Sequence, residues 1–238
     1  MTLLKKGIGI VGSTTIDKII AEDHSFLKLG GVTTYAGITY RRHGIPALII
    51  SNIAEQDLEV MAKLRAEDIL VFSAKSDLST YFVNYSRGDI RYQELLQQAG
   101  SIKNKKVYQS VSVQMTAGLT IAHIAKANEA EYHAILAFYQ MTLAELMHCF
   151  KIEEFVVTLG DKGGFVQKQN GETFHYDAAL IKTLIDPTGA GDVFFAAYIA
   201  SRMADRKDIP DACIYAAKIA AQQVEGKYIT KDVLALSG

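Results

Sequence analysis

The sequence carries almost no excess charge of either sign: 25 Lys and Arg stand against 26 Asp and Glu, for a formal net charge of -1. Its basic residues are spread along the chain, so there is no electrostatic footprint for nucleic acid or an anionic membrane. Long apolar runs are also missing. Stretches such as Ile45 to Ile50 and Phe194 to Ala200 fall far short of the roughly 20 residues that cross a bilayer. Met1 to Lys6 lead directly into strand-like Ile8 to Val11 without a signal-peptide apolar stretch, so a cytoplasmic location is expected. Cysteine is scarce. Cys149 and Cys213 both fall in helical patterns and are expected to be buried small hydrophobes rather than a disulfide or a nucleophile. The six histidines are scattered without paired metal-ligand spacing, which argues against a structural zinc site. Repeats, low-complexity tracts and linkers are lacking too.

What is present describes a packed α/β protein. Hydrophobic residues make up 49% of the chain and charged residues 21%, the balance of a globular core, and 238 residues suit one main domain with an appendage. Strand-like Gly7 to Val11, a helical stretch from Val32 to His43, strand-like Pro46 to Ile50 and a helical stretch from Glu55 to Arg65 predict a parallel sheet covered by helices. Between Asp68 and Leu96 the pattern changes to short alternating segments. Ile69 to Phe72, Thr80 to Tyr85 and, after the turn-forming Ser86 to Asp89, Ile90 to Gln93 read as an antiparallel hairpin group. The stretch from Ile19 to Leu29 can add a further strand. The expected architecture is a three-layer α/β/α core of residues 1–18, 37–67 and 97–238 with a small β lid of residues 19–36 and 68–96. Further along, Val107 to Val113 is strand-like, and Thr116 to Lys126 and Thr142 to Phe150 are helix-like. Glu154 to Thr158 reads as a strand and Gly164 to Gln167 with Thr173 to Tyr176 as a hairpin. Long helices are expected near Ala190 to Met203 and Pro210 to Val224.

The chemistry concentrates in Leu184-Ile-Asp-Pro-Thr-Gly-Ala-Gly-Asp-Val-Phe-Phe195, where a short strand is expected to run into a glycine-rich turn and a helix. Gly189 and Gly191 let the backbone approach a ligand, and the first N–H groups of the helix point at an anion. Asp192 falls in the first helical turn, where the dipole favours an ionised carboxylate able to take a substrate proton. Read alone, the same residues make a capped helix behind a tight turn.

This stretch resembles the C-terminal signature of the ribokinase-like, or PfkB-type, carbohydrate kinases, which has the form Asp-Thr-x-Gly-Ala-Gly-Asp. Asp186, Thr188, Gly189, Ala190, Gly191 and Asp192 fit it, with Pro187 in place of the common second Thr. The resemblance implies a ribokinase-like fold, Gly189 to Gly191 as an anion hole, and Asp192 as general base. Val156-Val-Thr-Leu-Gly-Asp-Lys-Gly-Gly164 is similar to the family's Thr-x-Gly-x-x-Gly turn, which implies that Thr158, Gly160 and Gly163, with Thr188, lie along nucleotide phosphates. By itself it is an ordinary hairpin entry. Asn128-Glu-Ala-Glu131 resembles the family's Asn-x-x-Glu motif. This implies that Asn128 and Glu131 position Mg2+ and the phosphates, Glu131 through water, although the spacing is equally that of a capping box.

On the acceptor side, Val11-Gly-Ser-Thr-Thr-Ile-Asp17 and Leu29-Gly-Gly-Val-Thr-Thr-Tyr-Ala36 are similar to the family's substrate segments. The likeness implies substrate contacts from Asp17, Gly30, Gly31 and Tyr35. Tyr35 stands where ribokinase usually has an Asn, which opens the acceptor to polyols such as an inositol and to nucleosides. Family members commonly run longer, and the chain is expected to lack about one βα unit between the lid and Asn128. The implied activity is transfer of the γ-phosphate of ATP, with Mg2+ and an optional monovalent cation, to an alcohol group of a sugar or related polyol. A nucleoside kinase and a shortened non-catalytic sugar- or nucleotide-binding homologue are the alternatives. The expected partners are a small polyhydroxylated substrate and a second copy paired through the exposed lid edges. A dinucleotide-binding role is disfavoured, because the glycines of Gly7-Ile-Gly-Ile-Val-Gly12 lie within the strand itself.

Overall fold

The computed structural model describes residues 7–20, 25–87, 90–97 and 115–236. The chain begins with β1 (Ile8–Val11), β2 (Thr15–Ile20), β3 (Ser25–Gly30), the helix α1 (Val32–Arg42) and β4 (Ala47–Ala54). Continuous apolar character marks β1 and β4 as members of a parallel sheet. With β5 (Leu70–Ser76) they form one in the order β1-β4-β5. The helix α1 lies on this sheet, and Gly37 lets it settle there: a Cβ at that position would lie 2.8 Å from Ile49.

A second sheet is antiparallel in part. The strands β6 (Thr80–Arg87) and β7 (Ile90–Gln97) make the expected hairpin, and the sheet order is β3-β2-β6-β7. Three pieces differ from the expected partition between lid and core. Ile69 to Phe72 belongs to the core, because Leu70 and Phe72 pair in parallel with Leu48 and Ile50 while Ile69 is buried. Thr15 to Lys18, expected with the core, opens β2 of this second sheet. Val32 to Ala36, expected in the lid, is the first half of α1, whose buried side packs on the core.

The C-terminal half builds the third sheet, in which β8 (Ile124–Asn128) and β9 (Glu154–Thr158) are parallel. The strands β10 (Gly164–Lys168) and β11 (Thr173–Tyr176) continue it antiparallel, as expected. Glu55–Met61 is a 3-10 turn followed by α2 (Ala62–Ala66), where one continuous helix was expected. Asp57 holds that turn toward the lid by accepting from Ser79 Oγ at 2.5 Å and Tyr81 OH at 3.0 Å. The helix expected over Thr116 to Lys126 is helical only over residues 115–121, because Ile124–Asn128 pairs with β9. The strand-like Val107 to Val113 lies outside the described residues.

Helix ends follow their local sequence. The helices α3 (Glu129–Tyr139) and α4 (Leu143–Phe150) both open on reciprocal capping boxes, Asn128 with Glu131 and Thr142 with Glu145. Cys149 is exposed on α4, contrary to expectation, because Leu143, Leu146 and Met147 take its buried positions. The two long helices are α5 (Ala190–Met203) and α6 (Ile209–Val224). Asp208 caps α6 by accepting from Asp211 N at 2.9 Å, with Pro210 in the first turn. Small residues at Ala196, Ala197, Ala200, Ala212 and Ala216 let α5 and α6 share one buried core with α1 and β4. Among the described residues, no helix is long and apolar enough to cross a membrane.

Candidate active site

The parallel strands β8 and β9 end in register, with Asn128 opposite Thr158. Ligands of open α/β sheets bind beyond such carboxyl ends. A cavity of about 630 Å3 lies there, lined by Asn128, Thr158, Gly160, Gly163, Ala190 and Gly191. Apolar Leu184, Ala217, Ala220, Ala221 and Val224 also line it. Gly160 has a φ of +65° and open space beside its Cα, whereas Gly163, at +79°, turns tightly under the Tyr176 carbonyl.

A second cavity, of about 400 Å3, opens on the other side of the same turn, beside the β3-β2-β6-β7 sheet. Thr15, Asp17, Phe82 and Gln93 of the lid sheet face Thr188, Gly189 and Asp192 across it, with Gly31 and Tyr35 from the start of α1. Asp17 is buried and accepts from Thr15 Oγ1 at 2.7 Å. Gly30 makes room for that carboxylate, since a Cβ there would lie 2.3 Å from Asp17 Oδ2. Its role is therefore to seat Asp17, and Gly31 is the glycine of the pair that lines the cavity.

The turn between the cavities is built from Asp186 onward. No strand forms at Leu184 to Asp186, contrary to expectation. Instead the Ile185 and Asp186 amides both donate to the Val224 carbonyl at the end of α6, at 3.0 Å each. Asp186 Oδ1 accepts from the Thr188 amide at 2.9 Å and from Thr188 Oγ1, which closes an Asx-type turn. Gly189 then takes a φ of +75° and lies against the Tyr35 ring, where a Cβ would come within 2.5 Å of the ring carbons. The helix pairs Ala190 N with Pro187 O and Val193 N with Gly189 O. It gives no intrahelical partner to the Gly191 and Asp192 amides, which stay available for an anion.

Asp192 sits half-buried in the first turn of α5. Burial is the largest influence on its carboxyl and raises its pKa; Lys126 opposes this, and Glu131 adds to it. Desolvation thus works against the helix dipole, which favours the ionised carboxylate. A base with a raised pKa holds a proton more strongly.

The family model of pfkB family carbohydrate kinases matches residues 48–234. The chain belongs to this family. No curated protein matches it. Among solved structures of the same fold, a Methanocaldococcus jannaschii nucleoside kinase, an archaeal member of the ribokinase family, superposes with a TM-score of 0.77 at 14% identity, covering 93% of each chain. A Vibrio cholerae O395 fructokinase, in a form with fructose, ADP and calcium ion bound, gives 0.75 at 15% identity over 95% of this chain and 96% of that one. A pyrophosphate-dependent kinase of the ribokinase family, complexed with a pyrophosphate analog and myo-inositol, gives 0.68 at 14% identity over 91% and 94%.

The turn from Pro187 to Asp192 is thus the wall shared by both cavities. Glu131 stands apart from it. Its Oε2 accepts from the Asn128 amide at 2.8 Å while Asn128 Oδ1 accepts from the Glu131 amide at 2.8 Å, so the capping box is formed and Glu131 does not line the cavity. Sequence reasoning missed Lys126, which lines the larger cavity and whose Nζ lies 3.2 Å from where a Gly191 Cβ would be. Its signal was its place two residues before Asn128, on the same face of one strand. Gln223 was also missed. Buried on α6, it donates to the Thr188 carbonyl at 3.5 Å and accepts from the Ile229 amide at 3.0 Å. Phe82 and Gln93 left no signal beyond the hairpin pattern.

Proposed function

We propose that the chain transfers the γ-phosphoryl group of ATP to a hydroxyl of a small polyhydroxylated acceptor, a sugar or related polyol. One observation carries this reading: successive residues of a single turn line two different cavities, Gly191 the larger and Asp192 the smaller. A phosphoryl group held by the helix amides then lies between a donor on one side and an acceptor hydroxyl on the other. The apolar lining of the larger cavity favours a donor with a base, hence ATP over pyrophosphate. In the smaller cavity Asp17 accepts from acceptor hydroxyls and Asp192 takes the proton of the attacking one. The Gly191 and Asp192 amides offset charge on the migrating group, and Lys126 is placed to do the same.

Among the described residues, no group of three or more metal-ligating side chains exists. Mg2+ keeps several waters and needs only one or two protein oxygens. Asn128, on the cavity wall, is the residue here that would hold its waters, and the ion when bound would neutralise phosphate charge. We place the protein in the cytoplasm. Exposed Leu95 and Leu96 on lid edge strand β7 support pairing of two copies through the lid; light scattering showing only monomer would remove that part of the proposal.

The test is a panel of sugars, inositols and nucleosides with MgATP, followed by ADP release and the mass of the product. A phosphorylated acceptor is expected; saturable ligand binding without any phosphorylated product would favour the non-catalytic alternative. The aromatic walls from Tyr35 and Phe82 favour a nucleoside as the second reading. Asp17→Asn should raise the acceptor KM by about tenfold or more, the scale of one charge-assisted hydrogen bond, and leave the affinity for ADP unchanged by calorimetry.

The acid limb of kcat/KM should lie above the ordinary aspartate range, because the base works only when deprotonated and burial raises its pKa. Lys126→Met removes the opposing charge, so the limb should move to still higher pH. A limb that stays in place or moves down would contradict the assignment of Asp192.

A further inference from the structure

Lid strand β3 carries a lysine inside the molecule. The Lys28 side chain is only 4% exposed, whereas a lysine normally keeps its ammonium in water. Its Nζ donates to Asp186 Oδ2, while Asp186 Oδ1 holds the Thr188 amide and hydroxyl. One carboxylate therefore joins the lid sheet to the turn that precedes Gly189. Burial alone would raise the Asp186 pKa, but Lys28 and the two Thr188 donors together outweigh it and hold the carboxyl below its usual range. Lys28 lines neither cavity. In the β2–β3 pair it stands directly opposite Asp17, and directly opposed residues share a sheet face. The lid face that presents the acceptor-side carboxylate is thus the face that anchors the phosphate turn.

We infer that Lys28 is a positioning residue for phosphoryl transfer. Its ammonium is a fixed internal cation that sets the Asp186–Thr188 turn, and with it the Gly191 and Asp192 amides, against the lid-borne acceptor. This rests on the kinase reading above, and the experiment separates the two: a wild-type chain that phosphorylates nothing counts against that reading, whereas the variants address Lys28 in an active enzyme.

Lys28→Met removes the charge and shortens the side chain by the one atom that carries it. It should lower kcat on the order of 10²-fold, the scale expected when a reacting geometry slips by about an ångström. The KM values for ATP and acceptor should stay within about threefold, because no ligand contact is lost. Ammonium or methylammonium chloride should restore part of kcat in this variant and leave wild type unchanged, with tetramethylammonium chloride as the ionic-strength control. Lys28→Arg should retain more activity than Lys28→Met. Should Lys28→Met not fold, the wild-type enzyme still decides: its rate should be unaffected when tetramethylammonium replaces potassium, since the cation is supplied by the chain. A Lys28→Met enzyme with wild-type kcat, a kcat loss with no response to ammonium, or a wild-type enzyme that stops without potassium would each overturn the inference.

Discussion

Replacing Asp192 with Asn should lower kcat by about 10²- to 10⁴-fold, the range contributed by a positioned general base, and should at the same time raise the melting temperature at neutral pH. The first effect follows from the place of the carboxylate on the acceptor side of the turn. The second follows from its environment. Its pKa is raised by burial, with Lys126 opposing and Glu131 adding, so between the unfolded and folded values the native state binds more protons than the unfolded chain. Stability from this group is complete below the unfolded pKa and is lost as pH rises through the folded one. At neutral pH an ionised, desolvated Asp192 is therefore a cost, and the isosteric amide removes it. Steady-state kinetics and thermal melts at two pH values read both effects. A variant that is slower and also less stable at neutral pH would indicate a structural role for the carboxylate.

Gly189→Ala should be nearly as damaging, for a backbone reason. The residue has a φ of +75° and its Cα faces the Tyr35 ring at a distance where a Cβ would come within 2.5 Å. Relieving that contact must move either the turn or Tyr35, which is almost completely buried. Left-handed strain at a non-glycine residue costs about 1–2 kcal/mol, and the collision adds to it. The turn lines both cavities, so kcat should fall on the order of 10²-fold and the melting temperature should drop. Gly189→Ala made in a Tyr35→Ala background tests the cause: its cost in stability should be smaller there than in the wild-type background, and an equal cost would show that the collision is not the source.

The segments that line the candidate site were legible because their requirements are local. A glycine at positive φ, free amides at a helix start and an acid in the first turn are all written within Asp186 to Asp192. The hairpin of β6 and β7 was legible through its alternation and turn residues. What escaped depends on contacts far apart in sequence. Ile69 to Phe72 looked like lid because short apolar segments carry the same pattern in either sheet; only its parallel neighbour β4 assigns it to the core. Leu184 to Asp186 is strand-like in composition, yet its amides end on the Val224 carbonyl of α6, a partner that no local pattern announces. Lys28, Lys126 and Gln223 read as ordinary strand or helix residues until the fold brings them to the Asp186–Asp192 turn. Asn128 and Glu131 are the instructive case, since the structure forms the capping box and still leaves Asn128 on the cavity wall.

The most direct measurement uses 15N-labelled protein with MgADP and aluminium fluoride, a mimic of the migrating phosphoryl group, in the presence of an acceptor. The Gly191 and Asp192 amide resonances should shift strongly, beyond any shift given by MgADP alone. A complex that forms by calorimetry while both amides stay unmoved would contradict the assignment of this helix start as the phosphoryl cradle.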